Sequence, residues 1–250
     1  MSGQVVGTLE EEVLVLRLDD EATLNALSAA MLADLALGIR SASDDGAVRG
    51  VVVTGTGRAF SSGENLRETS SLVGAEGIGE LSRLFNDITE AVLASRVPCV
   101  AAVNGVAVGG AAELTLCFDR RIGTTSSMYL FPESAMGFTI SNAASILLPA
   151  LIGRSAALDV VLSGRRLDAS ESHRLGLLDE VVDDPAVLLD RCRAYIASLT
   201  PQGNTAHLHL GLLRPDIDTV RQAFSLEAEA ARTAWESGAM DAQIARYDGS

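Results

Sequence analysis

Two glycine-centred segments hold the residue types that can do chemistry: Phe60-Ser61-Ser62-Gly63-Glu64 and Gly109-Gly110-Ala111-Ala112-Glu113. Each follows a short apolar run and reads as a turn presenting backbone N–H groups. Two such groups aimed at one carbonyl oxygen form an oxyanion hole, which stabilises negative charge as it develops there. The carboxylates Glu113 and Glu133 lie nearby in sequence. Oxyanion donors beside acid–base carboxylates point to reaction next to an activated carbonyl.

Each feature also has an ordinary structural reading. A Gly-Gly pair lets a helix approach a sheet closely. At a helix N-terminus it also presents unbonded N–H groups, and Glu113, three residues past Gly110, shares its helix face. Glu133 follows Phe131-Pro132; it is either a solvated loop residue or a carboxylate aimed by a fixed backbone. Around Gly63-Glu64, Ser61, Ser62 and Asn65 are turn formers; the functional reading needs only the Glu64 N–H. Arg58 and Arg67 flank that turn as solvated side chains or as phosphate ligands. Other chemistries lack support. Gly55-Thr56-Gly57 has Phe60 where a dinucleotide fingerprint needs its third glycine, and no Gly-x-Ser-x-Gly elbow occurs. His173, His207 and His209 all fall late, and the last two split across helix faces.

These residues need elements to position them. Residues 5–18 read as two short strands around Glu10-Glu11-Glu12. Residues 28–43 read as a helix with Ser28 as N-cap and Leu32, Leu35 and Ile39 at helical spacing. Residues 50–54 and 99–103 are buried strands, apolar and β-branched. The chain reads as a long loop over 63–76, helix over 78–94, a turn at Asn104-Gly105, helix over 109–116 and strand over 120–123. Beyond Ser141 it turns mainly helical, over 156–162, 169–175, 185–198 and 219–237, with one short strand at 180–182. Strand–helix alternation predicts an α/β fold with a mostly parallel sheet.

Composition sets the bounds. At 250 residues and 26.1 kDa, one domain with a full core is expected, burying roughly 70–75% of its unfolded surface. Mean hydropathy is +0.25, rich enough to suggest buried subunit contacts. No apolar run reaches membrane-spanning length, and the start lacks the pattern of a secretory signal. Cys99, Cys117 and Cys192 fit neither a disulfide framework nor a zinc site, which suggests a reducing cytoplasm. The net charge of −14 speaks against a nucleic-acid partner. All 19 basic residues are arginine, so lysine Schiff-base chemistry is excluded.

Several segments, taken together in order, resemble the enoyl-CoA hydratase/isomerase (crotonase) family. They are Leu24-Asn25-Ala26-Leu27; the run from Gly57 through Ser61-Ser62-Gly63-Glu64-Asn65-Leu66-Arg67-Glu68; Pro98-Cys99-Val100-Ala101-Ala102-Val103-Asn104-Gly105 on to Glu113-Leu114; and Phe131-Pro132-Glu133. Gly153-Arg154, Leu162-Ser163-Gly164-Arg165-Arg166 and Leu175-Gly176-Leu177-Leu178-Asp179-Glu180-Val181-Val182 continue it. The match covers about residues 5–185 and fades beyond 200. The resemblance implies a spiral of ββα turns over 1–195 and a helical region over 196–250 that completes the site and trimerises, often as a dimer of trimers. It implies an acyl-CoA thioester substrate, no metal and no cofactor beyond the coenzyme A of the substrate. The family's oxyanion N–H groups fall on Glu64 and Gly110, and its catalytic glutamates on Glu113 and Glu133. Asn25, Ala26, Leu27 and Ala59 fall where the family holds the adenine, and Arg67 where a basic residue meets CoA phosphate.

The implied reaction is hydration of a 2-enoyl-CoA through an enolate, with Glu113 activating water and Glu133 serving C2. The chain departs from the family at residues 139–145, Thr-Ile-Ser-Asn-Ala-Ala-Ser, where Ser141 replaces a glycine that helps hold the water. It also has Ala111 for a third glycine, Glu64 where small residues are common and Asn65 where aspartate is usual. Δ3,Δ2-isomerisation, decarboxylation or hydrolysis of an acyl-CoA, and non-catalytic acyl-CoA binding therefore stay open. By position, Glu80, Leu81, Leu84 and Phe85 are expected at the acyl site.

Overall fold

The computed structural model describes residues 3–65, 68, 75–199 and 205–238. Two sheets run through it. The larger, ordered β1-β2-β3-β5-β7-β10, joins Gln4–Glu10 (β1), Val13–Asp19 (β2), Gly50–Gly55 (β3), Cys99–Val103 (β5), Arg120–Thr124 (β7) and Glu180–Val182 (β10). Only β1 and β2 pair antiparallel; the other pairings are parallel. The smaller sheet, ordered β4-β6-β8-β9, joins Ala59–Ser61 (β4), Val106–Val108 (β6), Met128–Leu130 (β8) and Leu167–Asp168 (β9). Its first three strands are parallel.

The chain visits the sheets alternately. A strand of the large sheet leads to one of the small sheet and then to a helix: β3, β4 and Ala75–Ala94 (α2); β5, β6 and Gly110–Thr115 (α3); β7, β8 and Glu133–Met136 (α4). This is a spiral of ββα turns. The large-sheet strands β3 and β5 are fully buried and read as continuous apolar runs, as parallel strands covered on both faces must. Helix Ala29–Asp44 (α1) starts where expected, with Ser28 Oγ accepting from Met31 N at 3.2 Å. It buries Met31, Leu32, Leu35 and Ile39 against β-strand side chains and α2 in the main core.

The helical half comprises Ala144–Ile152 (α5), Arg154–Ser163 (α6), Ala169–Leu175 (α7), Leu188–Leu199 (α8), Ala206–Leu213 (α9) and Ile217–Glu236 (α10). α5 and α9 were not singled out by the sequence pattern, and residues 185–187 form a separate 3-10 turn before α8. The strands of the small sheet also escaped it. Three residues are too few to display a period. On α9, Leu212 and Leu213 are 79% and 83% exposed. Among the described residues no helix is long and apolar enough to cross a membrane.

Candidate active site

The small sheet builds the site. Its three parallel strands β4, β6 and β8 are adjacent, so their carboxyl ends lie side by side, and ligands of open α/β sheets bind at such ends. β4 runs into Gly63-Glu64, β6 into Gly109-Gly110, and β8 through Phe131-Pro132 into Glu133. Three segments scattered over some seventy positions of sequence are thus brought to one edge.

The first turn is fixed from behind. Ser61 Oγ donates to Asn25 O at 2.7 Å and accepts from Gly63 N at 3.1 Å. Leu27 bridges it as a parallel strand would: Leu27 N donates to Gly63 O (2.8 Å) and Asn65 N donates to Leu27 O (3.0 Å). That pairing leaves the Glu64 N–H on the side away from Leu27, and Gly63 and Glu64 both line the cavity. Gly63 has φ +95°, and a Cβ there would sit 2.6 Å from Val108 O and 3.9 Å from Gly110 N, so the two turns are in direct contact. Gly109, at φ 57° and ψ −130°, occupies backbone space reserved for glycine. Its N–H donates to Leu130 O at 2.9 Å. Gly110 is the first helical residue of α3, so its N–H has no acceptor within the helix.

Two carboxylates face this edge. Glu113 on α3 is 1% exposed, and Glu133 at the start of α4 is 8% exposed. Glu113 Oε1 accepts from Ser141 N (3.0 Å) and Oε2 from Ser141 Oγ (2.6 Å). Glu133 Oε2 is buried with no partner. Burial pushes both carboxyl groups up, Glu133 to about 7 and Glu113 well above the usual carboxylate range. The charge of Glu133 raises Glu113 further, while the two donations from Ser141 favour its ionised form.

A third carboxylate, Glu227 on α10, was not anticipated. It is 7% exposed, and it accepts from Ala143 N (2.8 Å) and Ser145 N (2.9 Å), capping α5 from another helix. Asn142 and Ala143 both have φ 60°, a conformation that costs a non-glycine residue roughly 1 kcal/mol or more. The cap from Glu227 and the amide of Asn142 hold it. With its nitrogen toward Thr89 Oγ1 (2.5 Å) and Phe85 O (3.1 Å), that amide accepts from Leu114 N at 3.2 Å. This double left-handed turn delivers Ser141 to Glu113. A sequence signal existed: Glu227 interrupts the apolar stripe Val220, Ala223, Phe224 of α10.

The cavity has a volume of about 140 Å³ and is lined by Glu64, Gly110, Glu113, Glu133, Ser141 and Glu227 among others. Leu81 and Phe85 line it as expected from position, but Glu80 and Leu84 do not; Ser82 and Asn86 take the same face of α2 one residue on. Leu84 packs on the main core instead. Asn25, Ala26, Leu27 and Ala59 lie behind the first turn and are not part of the cavity wall. Asn25 is fully buried; its Nδ2 donates to Thr56 O, Ala59 O and Phe60 O at 2.9–3.3 Å, and its Oδ1 accepts from Asp20 N. Its side chain therefore ties the first turn together. Arg67 lies outside the described residues, and Arg58 is exposed at the entry to β4. Among the described residues no group of three or more His, Cys, Asp or Glu is placed to hold a metal ion.

Comparison with known proteins agrees with this fold. The profile of the enoyl-CoA hydratase/isomerase family matches residues 8–234. Crotonyl-CoA hydratase of Syntrophomonas wolfei is 29% identical over 224 residues, covering 88% of this chain and 85% of that one. The 1,2-epoxyphenylacetyl-CoA isomerase of Escherichia coli is 29% identical over 218 residues, covering 86% and 82%. The crystal structure of an enoyl-CoA hydratase from Bacillus halodurans superposes with a TM-score of 0.90 over 97% of this chain and 99% of that one, at 23% identity. The chain is a member of the enoyl-CoA hydratase/isomerase family and has its crotonase fold.

Proposed function

We propose that the protein hydrates a 2-enoyl-CoA thioester. The observation that carries this reading is the pairing of two buried carboxylates, Glu113 and Glu133, at the edge where both glycine turns meet. The thioester oxygen accepts from the Glu64 and Gly110 N–H groups as the enolate forms, each donor contributing about 3 kcal/mol of transition-state stabilisation. Glu113, whose ionised form accepts both hydrogen bonds from Ser141, takes a proton from water as the water oxygen attacks C3. Glu133, with a pKa of about 7, holds the proton that C2 receives. A group titrating near neutrality is well matched to that transfer. Two neighbouring buried carboxyl groups retain a proton between them, so the pair carries one acid and one base at working pH.

A second reading, Δ3,Δ2-isomerisation, is favoured by one contact: both oxygens of Glu113 already accept from Ser141. Isomerisation needs a single base, which Glu133 supplies. The two readings separate on the loss of the conjugated absorbance of crotonyl-CoA. For hydration, Glu113→Gln and Glu133→Gln each slow that loss by at least about a hundredfold with thioester binding retained. Rates near wild type in both variants would overturn the assignment. A subunit assembly of three or six chains is also part of the proposal; the exposed leucines of α9 support it.

A further inference from the structure

We propose that Glu227 is a positioning residue: from α10 it holds residues 141–145 in the conformation that presents Ser141 to Glu113, which makes the C-terminal helix part of the acid–base machinery. This rests on the reading of Glu113 as the base of the proposed hydration.

The chain from 141 to 145 is not stable in that conformation by itself. Asn142 and Ala143 both stand at φ 60°, a region that a Cβ disfavours. Ala143 is the N-cap of α5, and its methyl group offers no acceptor to the first turn. Two N–H groups are left over. One belongs to Ala143, which is fully buried. The other belongs to Ser145, the second residue of α5, where no acceptor within the helix exists. Glu227 takes both: Oε2 accepts from Ala143 N at 2.8 Å and Oε1 from Ser145 N at 2.9 Å. Between them Ala144 N donates to Ser141 O at 2.8 Å, so the clamp passes directly to Ser141. Ser141 N and Oγ in turn donate to Glu113 at 3.0 and 2.6 Å. Glu227 is itself anchored, because Val220 and Ala223 of α10 are buried in the main core.

Glu227 acts on Glu113 in two opposed ways. Its charge raises the Glu113 pKa directly. Through Ser141 it supports two donations that lower that pKa, and each outweighs the repulsion. The two roles therefore carry opposite signs. The other charged groups are few. Glu133 on α4 also raises Glu113, and Glu64 lines the cavity from the first turn. Helix α2, packed against α3, lines it with Leu81, Ser82, Phe85 and Asn86, none of them charged. Arg221 of α10 is engaged with Glu90 of α2 at 2.9 Å.

The test follows the infrared band of the protonated Glu113 carboxyl, identified by its absence from Glu113→Gln, as pH is raised, together with kcat and KM on crotonyl-CoA. Glu227→Ala and Glu227→Gln both lose the charge, but glutamine, of equal size, keeps one acceptor. The midpoint of the Glu113 band is expected to rise by about one pH unit in Glu227→Ala and by less in Glu227→Gln. At neutral pH kcat should fall about tenfold in Glu227→Ala with KM within about threefold of wild type. A midpoint that falls in both variants leaves only the charge of Glu227 at work and overturns the proposal. So does a midpoint that stays in place, whatever happens to thermal stability: Glu227 is then a helix cap and nothing more. If Glu227→Ala does not fold, the direction of the shift in Glu227→Gln decides alone. A midpoint that rises while the pH–rate profile of hydration stays put keeps the positioning role and rejects Glu113 as the base.

Discussion

Ser141 makes the protonation of Glu113 depend on one hydroxyl. Its N–H and Oγ both donate to the carboxylate, and donation to the charged form holds a pKa down. Ser141→Ala removes the Oγ donor and keeps the backbone one, so the Glu113 pKa rises further above the ordinary range. If Glu113 is the base, the acid limb of the pH–rate profile moves to higher pH in this variant. A limb that stays in place would assign the base elsewhere, as isomerisation through Glu133 alone requires. At this scale the sequence was legible where short motifs are contiguous: Glu64, Gly110, Glu113, Glu133 and Ser141 all reach the cavity. Glu227 was not singled out, because it enters the site from a distant helix and its mark in the sequence is an interruption of the α10 apolar stripe. The side chain of Asn25 illustrates the converse. Its motif is recognisable, but its four hydrogen bonds lie within the protein.

The elements that matter most are the shortest. β4, β6 and β8 have three residues each, yet their parallel register sets both glycine turns and Glu133 along one edge. The sequence announced the large-sheet strands β3 and β5, whose β-branched runs are buried on both faces. It did not announce the small sheet, whose strands exist through pairing with one another rather than through propensity. Gly63 shows how tightly this edge is built. Gly63→Ala would place a Cβ 2.6 Å from Val108 O in a left-handed backbone. The expected cost is about 1–3 kcal/mol of stability, together with displacement of one donor and a fall in turnover of about a hundredfold. Turnover within about threefold of wild type, from an equally stable variant, would show that the contact between the turns is not needed.

Over the whole molecule, the C-terminal helices close what the spiral opens. α10 contributes Phe224 and Glu227 to the cavity, and its Arg221 pairs with Glu90 of α2 at 2.9 Å. Arg214, between α9 and α10, is buried against Asp119 at 2.6 Å and donates to backbone carbonyls of Leu93, Ser95 and Val97. The buried carboxyl groups also give stability a pH dependence. A carboxyl group whose pKa is raised on folding favours the native state while protonated. That contribution is complete below about 4.5 and is lost as pH rises through the folded value, about 7 for Glu133. Glu113 and Glu227 are shifted in the same direction. The thermal midpoint should therefore fall between pH 5 and 8, with Glu133 accounting for on the order of 2–3 kcal/mol. Glu133→Gln should flatten that fall; an unchanged slope would show that Glu133 is not held protonated in the resting protein. The central claim, that this edge adds water to an enoyl thioester, is tested most directly in water enriched in oxygen-18. With crotonyl-CoA, hydration predicts a product heavier by one water whose new oxygen is the heavy isotope, formed at least about a hundredfold more slowly by Glu133→Gln. Migration of the double bond without uptake of solvent oxygen, or uptake at the same rate in Glu133→Gln, would contradict it.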